Sequence, residues 1–132
     1  MNKRYKDWTK HSEVGRAGET AAKEYLRKKG YKIIDTNCRT KYYEIDIIAI
    51  APVKRFFDAE RTMVFVEVRT KSNERWGRPE DTINYYKKKQ LHGAAEAYLG
   101  ENGWDGASRI DAVCVILTGN EVKRLTHYEN IA

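Results

Sequence analysis

The 132-residue chain has no long apolar run, two cysteines, three scattered histidines and no repeat or low-complexity tract. Each shortage closes off a class of reading. No stretch approaches the ~20 consecutive apolar residues of a membrane-spanning helix, so no membrane partner is expected. The N-terminus, Met1-Asn2-Lys3-Arg4-Tyr5-Lys6-Asp7-Trp8, is polar and unlike a signal peptide, which makes the cytoplasm the expected location. Two cysteines are too few for a disulfide framework. Cys38 falls in a turn and Cys114 in an apolar strand, which reads as two free thiols, with a single bridge as the alternative. His11, His92 and His127 are too dispersed to suggest a zinc site or a triad. The length suits one domain with a real core and is too short for two ordinary ones.

What is present in quantity is positive charge, placed unevenly. The formal net charge is +6, yet residues 1–43 hold 12 Lys and Arg against 5 Asp and Glu, while the remainder holds 13 against 14. A basic segment joined to a near-neutral one suggests a polyanionic partner, most commonly nucleic acid. The plainer alternative is a solvated lysine-rich face.

Residues 1–11 lack apolar periodicity and read as a basic arm; residues 12–132 read as a single domain. Ser12 offers an N-cap to a helix reaching Lys29, with Val14, Ala17, Ala21, Ala22, Tyr25 and Leu26 at three- and four-residue spacings and Gly30 as the terminating residue. Strands are expected over 31–37, 43–50, 62–70, 109–117 and 121–127, and a second helix from about Glu80-Asp81-Thr82 to Leu99. The order α-β-β-β-α-β-β predicts an α/β fold, a mixed sheet flanked by two helices.

Two of these strands contain a carboxylate inside an otherwise apolar run: Asp46 in Tyr43-Glu44-Ile45-Asp46-Ile47-Ile48-Ala49-Ile50, and Glu67 in Met63-Val64-Phe65-Val66-Glu67-Val68-Arg69. Runs apolar on both faces belong to strands covered on both sides. A carboxylate there is costly unless a cation neutralises it or it takes up a proton. Glu67, Arg69 and Lys71 share one face by alternation, and a hairpin pairing would set Asp46 beside Glu67. Two adjacent carboxylates favour a divalent ion, and hard oxygen ligands suit Mg²⁺ or Mn²⁺ better than zinc. The competing reading is an Asp46–Arg69 or Glu67–Arg69 ion pair inside the sheet.

The motifs Gly15-x-x-Gly18-Glu19-x-x-Ala22-x-x-Tyr25-Leu26, Gly30-Tyr31-x-Ile33, Asn37-x-Arg39, Glu44-Ile45-Asp46-Ile47-Ile48-Ala49 and Val64-Phe65-Val66-Glu67-Val68-Arg69 occur in this order. Lys88-x-x-Leu91, Ala94-Ala95-x-x-Tyr98-Leu99, Arg109-Ile110-Asp111 and His127-Tyr128-x-Asn130 follow them. Together they resemble the YraN family of bacterial proteins over nearly the whole chain from residue 14 onward.

The resemblance implies a restriction-endonuclease-like fold with a PD-(D/E)xK nuclease core, similar to archaeal Holliday junction resolvases. It makes Asp46 the central metal ligand and Glu67 the second, with the Val68 carbonyl completing the protein's share and Glu19 as the accessory acid. The chain departs from the pattern twice: Tyr43 stands where a glycine is usual, and Arg69 where a lysine is expected. A guanidinium stays protonated and is no general base, but it can fix a phosphate through two hydrogen bonds. Lys71, roughly 6.6–6.8 Å further along the same face, is the candidate substitute. The expected activity is Mg²⁺- or Mn²⁺-dependent cleavage of DNA, branched or single-stranded, with a homodimer compatible with the resolvase likeness. Lys3, Arg4, Lys6, Arg16, Arg39, Lys41, Arg75, Trp76, Arg78 and Lys88 are the candidate nucleic-acid contacts. The rival readings are a nucleic-acid-binding module without cleavage and a domain whose basic face meets an acidic protein.

Overall fold

The computed structural model of the protein describes residues 12–41, 43–53, 60–75 and 77–132. The basic arm, with Lys3, Arg4 and Lys6, lies outside the described residues, as does Trp76.

Helix α1 (Glu13–Lys28) begins where the Ser12 hydroxyl accepts from the Gly15 amide at 3.0 Å. It ends at Gly30, whose φ of +92° lets the Tyr31 amide turn back to the Leu26 carbonyl at 2.9 Å. Five strands follow: β1 (Lys32–Arg39), β2 (Glu44–Ile50), β3 (Thr62–Lys71), β4 (Ala107–Thr118) and β5 (Glu121–Tyr128). They form one sheet in sequence order. All neighbours are antiparallel except β3 and β4, which run parallel from Thr62↔Ala107 to Lys71↔Ile116. A parallel pair needs a crossover, supplied by α2 (Tyr85–Glu101). The element order is the α-β-β-β-α-β-β expected from the sequence. Among the described residues no helix is long and apolar enough to cross a membrane.

The helices cover opposite faces. Ala22 and Leu26 of α1 pack on Ile47, Ala49, Val64, Val66, Val68, Val113 and Val115. Leu91, Ala94 and Ala95 of α2 pack with Ile45, Ile48, Ile50, Met63, Phe65 and Ile110. Double coverage explains why β2, β3 and β4 read as continuous apolar runs rather than alternating ones. The second helix starts later than its acidic residues suggest. Pro79–Thr82 is a separate 3₁₀ turn, and the Asn84 side chain then caps α2 by accepting from the Lys87 amide at 3.0 Å.

Alternation fails at one place. Ile45 joins the core under α2 and Ile47 the core under α1, although two residues apart on a regular strand share a face. The intervening residue is Asp46. Across from it on β1, between the pairs Thr36↔Ile47 and Cys38↔Ile45, stands Asn37 with φ +49°. A left-handed residue inside a strand is uncommon, and Asn is among the side chains that tolerate it. The irregularity lies where the sequence places its buried acid.

Candidate active site

Asp46 and Glu67 lie on the two central antiparallel strands, one residue beyond the last β2–β3 pair, Ile47↔Val66. Continuing that register sets them opposite each other. Both are buried, Asp46 at 1 % exposure and Glu67 at 0 %. Where the backbone ladder stops, the Asp46 side chain takes over: Oδ2 accepts from the Val68 amide at 2.8 Å. On an extended strand the N–H and C=O of one residue point to the same neighbour, so the Val68 carbonyl is turned toward β2 as well.

Glu67 is held differently. Its Oε2 accepts from the Arg69 guanidinium at 2.6 Å and from the Tyr43 hydroxyl at 2.9 Å, and Arg69 also donates to the Tyr43 oxygen at 3.1 Å. The two residues at which the chain departs from the resembled pattern thus meet on the same carboxylate. Burial works against the Arg69 charge, but Glu67, Tyr43 and Asp46 outweigh it and hold the guanidinium even more firmly protonated than usual. Arg69 therefore stays cationic and is not a base. The Glu67–Arg69 pairing is one of the two ion pairs that the sequence left open as the alternative to a metal.

Glu19 enters from the α1 side, buried at the level of Gly18. Gly18 sits so close to β3 that a Cβ there would lie 1.9 Å from Thr70 Oγ1, and this tight approach brings Glu19 to the sheet. Glu19 Oε1 accepts from the side-chain amide of Asn37 at 3.0 Å and lies 3.7 Å from Lys23 Nζ. Asn37 faces Asp46 in register, so Glu19 reaches the neighbourhood of Asp46 through β1. Val66 and Val68 pack toward α1, so by alternation Glu67 and Arg69 project to the other face. Lys71 is buried and donates to the Gly77 carbonyl at 3.1 Å, holding the loop after β3.

The candidate nucleic-acid contacts are dispersed. Arg16, Lys41 and Arg75 are exposed on α1, the β1–β2 turn and the loop after β3; Lys88 is half-buried on α2. Arg39 lies 3.6 Å from Glu44, and Arg78 lies 3.3 Å from Asp81. Three residues to which sequence reasoning assigned no such role also enter the site. They are Tyr43, Asn37 and Lys87, whose Nζ stands 5.4 Å over the Tyr43 ring. The Lys87-Lys88-Lys89 run was a signal, but only helical phase tells which lysine turns toward the sheet.

A second polar cluster lies under α1. Asp111 accepts from Arg109 Nε at 2.8 Å, from its Nη2 at 3.0 Å and from the Asn130 amide at 2.9 Å, and lies 2.8 Å from His127 Nε2. Burial raises the Asp111 pKa, but His127, Arg109 and the Asn130 amide outweigh it and hold the carboxyl below its usual range. Ligand atoms of Asp111, His127 and Glu129 lie within 4.8 Å of one another. Arg109 supplies the positive charge at this spot, binding Asp111 and, at 3.3 Å, Glu129. The cluster is a hydrogen-bonded clamp between β4, β5 and the end of α1.

The sequence pattern of the uncharacterised protein family UPF0102 matches residues 18–115. A UPF0102 protein of Alkaliphilus oremlandii (strain OhILAs) is 38% identical over 125 residues, spanning 91% of this chain and 97% of the relative. One of Bacteroides thetaiotaomicron is 38% identical over 106 residues, 80% of this chain and 81% of the relative. One of Carboxydothermus hydrogenoformans is 37% identical over 120 residues, 90% of this chain and 94% of the relative. The matched span contains Glu19, Asn37, Tyr43, Asp46, Glu67 and Arg69.

Proposed function

This chain belongs to the uncharacterised protein family UPF0102, and from that premise we propose that it is a metal-dependent nuclease that hydrolyses phosphodiesters in DNA. The observation that carries the reading is the burial of two carboxylates, Asp46 and Glu67, on neighbouring strands just beyond the point where the β2–β3 ladder stops. Carboxylates in the middle of a doubly covered sheet give up their hydration, and a bound cation is one way to replace it.

The donor set fits a hard divalent ion. Asp46, Glu67 and the Val68 carbonyl offer oxygen only, the preference of Mg²⁺ and Mn²⁺. When bound, such an ion supplies Lewis acidity at the phosphate and lowers the pKa of water. The remaining work falls to side chains. Arg69 offers a fork of donors to a phosphate oxygen, and Tyr43, bonded to it, fixes the plane of that fork. Glu19, anchored by Asn37 on the α1 side, is the accessory acid of this reading, acting toward Asp46 rather than toward Glu67 and Arg69 on the other face. The α1 packing at Gly18 excludes bulk solvent from that flank.

The second reading is a nucleic-acid-binding module of the same fold without cleavage, and the 2.6 Å contact between Arg69 and Glu67 favours it. Here the guanidinium stays on Glu67 permanently. Calorimetric titration with Mn²⁺ separates the two. The nuclease requires binding by the natural chain and strong weakening in Asp46→Asn, which keeps an acceptor for the Val68 amide. No binding to either protein, or equal binding to both, overturns the nuclease and leaves the binding module.

A further inference from the structure

The N-terminal turn of α2 carries a surface that the fold does not use. Tyr85 is 68 % exposed and Tyr86 76 %, and these are the most exposed large hydrophobic side chains among the described residues. An aromatic ring left in water forgoes the 150–250 Å² of burial that makes it valuable, and tyrosine is only a middling helix former. Neither ring belongs to either core cluster. They stand together, with centroids 6.1 Å apart and planes at 68°.

Charge at this turn is equally unfavourable to the free protein. The first turn of α1 holds Glu13, whereas the first turn of α2 holds no acid and leads into Lys87, Lys88 and Lys89. Cations at the positive end of a helix oppose its dipole. Lys89 Nζ lies 5.2 Å from the Tyr85 ring centroid, and Lys87 Nζ lies 5.4 Å from that of Tyr43, whose hydroxyl touches Glu67. Lys89 thus stands at Tyr85, while Lys87, next in sequence to Tyr86, stands over the Tyr43 ring that bonds Glu67. A partner with a flat π face and a regular negative charge fits this combination, and a base with its phosphate supplies both.

We propose that Tyr85 and Tyr86 form a stacking platform for unpaired bases, with Lys87–Lys89 on the adjoining phosphates. The substrate of the proposed site is then DNA with a single-stranded segment rather than continuous duplex. This deepens the nuclease reading and rests on it for its placement beside the site. Stacked bases inside a duplex present no face to a tyrosine, so only an opened strand engages the platform.

The test is fluorescence anisotropy of a labelled, unstructured single strand and of its duplex, in EDTA, with the natural chain and with Tyr85→Ser/Tyr86→Ser. Both positions are exposed, and circular dichroism verifies that the double variant stays folded. The platform requires tighter binding of the single strand than of the duplex. It requires the double variant to lose about 5- to 160-fold in single-strand affinity for each stacked base, with duplex binding unchanged. Replacing Lys87, Lys88 and Lys89 with Gln flattens the dependence of log K on log salt by about 0.7 for each phosphate that is no longer neutralised. An unchanged single-strand affinity in the tyrosine variant overturns the proposal, as does an equal loss on duplex or a natural chain that prefers duplex. Failure of both DNAs to bind, with Mn²⁺ still bound at Asp46, removes the platform and leaves the metal site standing. Tyrosine-dependent single-strand binding without Mn²⁺ binding keeps the platform and removes the nuclease.

Discussion

Arg69→Met is the most informative single perturbation, because it separates the two ways in which Glu67 is neutralised. Methionine keeps much of the apolar length of the side chain and removes the guanidinium. The Glu67 side chain is 0 % exposed and that of Arg69 15 %, so the pair is buried and little discounted by solvent. Removing one partner of a buried ion pair costs about 3–5 kcal/mol, since the other charge is left in a low-dielectric site. For a chain of this size that is a fall in melting temperature of about 10–20 °C. The Tyr43 hydroxyl still donates to Glu67 and moderates the loss without abolishing it. Melting followed by circular dichroism in EDTA gives this first number. Under the proposed metal site, Mn²⁺ at about a hundred times its Kd is expected to restore about 2.7 kcal/mol by mass action. Arg69→Lys falls between: the charge remains, but the shorter ammonium chain ends short of Nη2, the one nitrogen that donates to both Tyr43 and Glu67. The reasoning fails if Arg69→Met melts with the natural chain in EDTA. The metal half fails if Mn²⁺ stabilises Arg69→Met and Asp46→Asn/Arg69→Met equally.

Two further predictions probe the frame around the site. Gly18→Ala drives a methyl to within 1.9 Å of Thr70 Oγ1 and 2.7 Å of its Cβ, so α1 must shift. Overpacking of this kind costs about 1–3 kcal/mol; urea unfolding reads the loss, and a stability equal to the natural chain's disproves the close approach. At Asp111 the folded pKa lies below the unfolded value. Its contribution is therefore present above the ordinary carboxylate range and lost as pH falls through the folded pKa. The stability gap between the natural chain and Asp111→Asn should narrow from about pH 5 to about pH 3, and a gap constant over that interval refutes the linkage.

Most of the fold was legible because its determinants are local. Ser12 and Gly30 bound α1 in sequence as they do in space, and the double-sided apolar runs of β2, β3 and β4 announce helices on both faces. The start of α2 was misread for an equally local reason. Glu80, Asp81 and Thr82 resemble a first turn, but Asp81 accepts from the Arg78 amide at 2.9 Å and Thr82 donates to the Pro79 carbonyl at 2.7 Å. These bonds close a 3₁₀ turn, and Asn84 opens the helix afresh. The hairpin register that carries Asp46 toward Glu67 follows from the pairing of β2 with β3, and the sharing of a face by Glu67 and Arg69 follows from alternation. The roles of Tyr43 and Asn37 do not, since each bonds a residue brought near only by tertiary packing, 24 and 18 positions away. The reversal of alternation between Ile45 and Ile47 was also hidden, because it accompanies a left-handed Asn37 on the neighbouring strand rather than anything in β2 itself.

Each acid of the site is fixed by a donor of its own: Asp46 by the β3 backbone, Glu67 by Tyr43 ahead of β2 and by Arg69 of its own strand, and Glu19 by Asn37 of β1. Side chains so held need little reordering when a ligand arrives, which is the condition for an electrostatic site to act on a transition state. The clasp on Glu67 is the exception, because its strongest member is also the cation best suited to a phosphate. A phosphate within reach of Arg69 competes with Glu67 for one guanidinium, and whatever it wins leaves negative charge on Glu67 for a divalent ion to meet. Substrate and metal should then bind with positive coupling: a non-cleavable phosphorothioate strand should tighten Mn²⁺ binding to the natural chain and fail to do so in Arg69→Met. Independent binding of the two in the natural chain refutes an exchange of partners at Arg69.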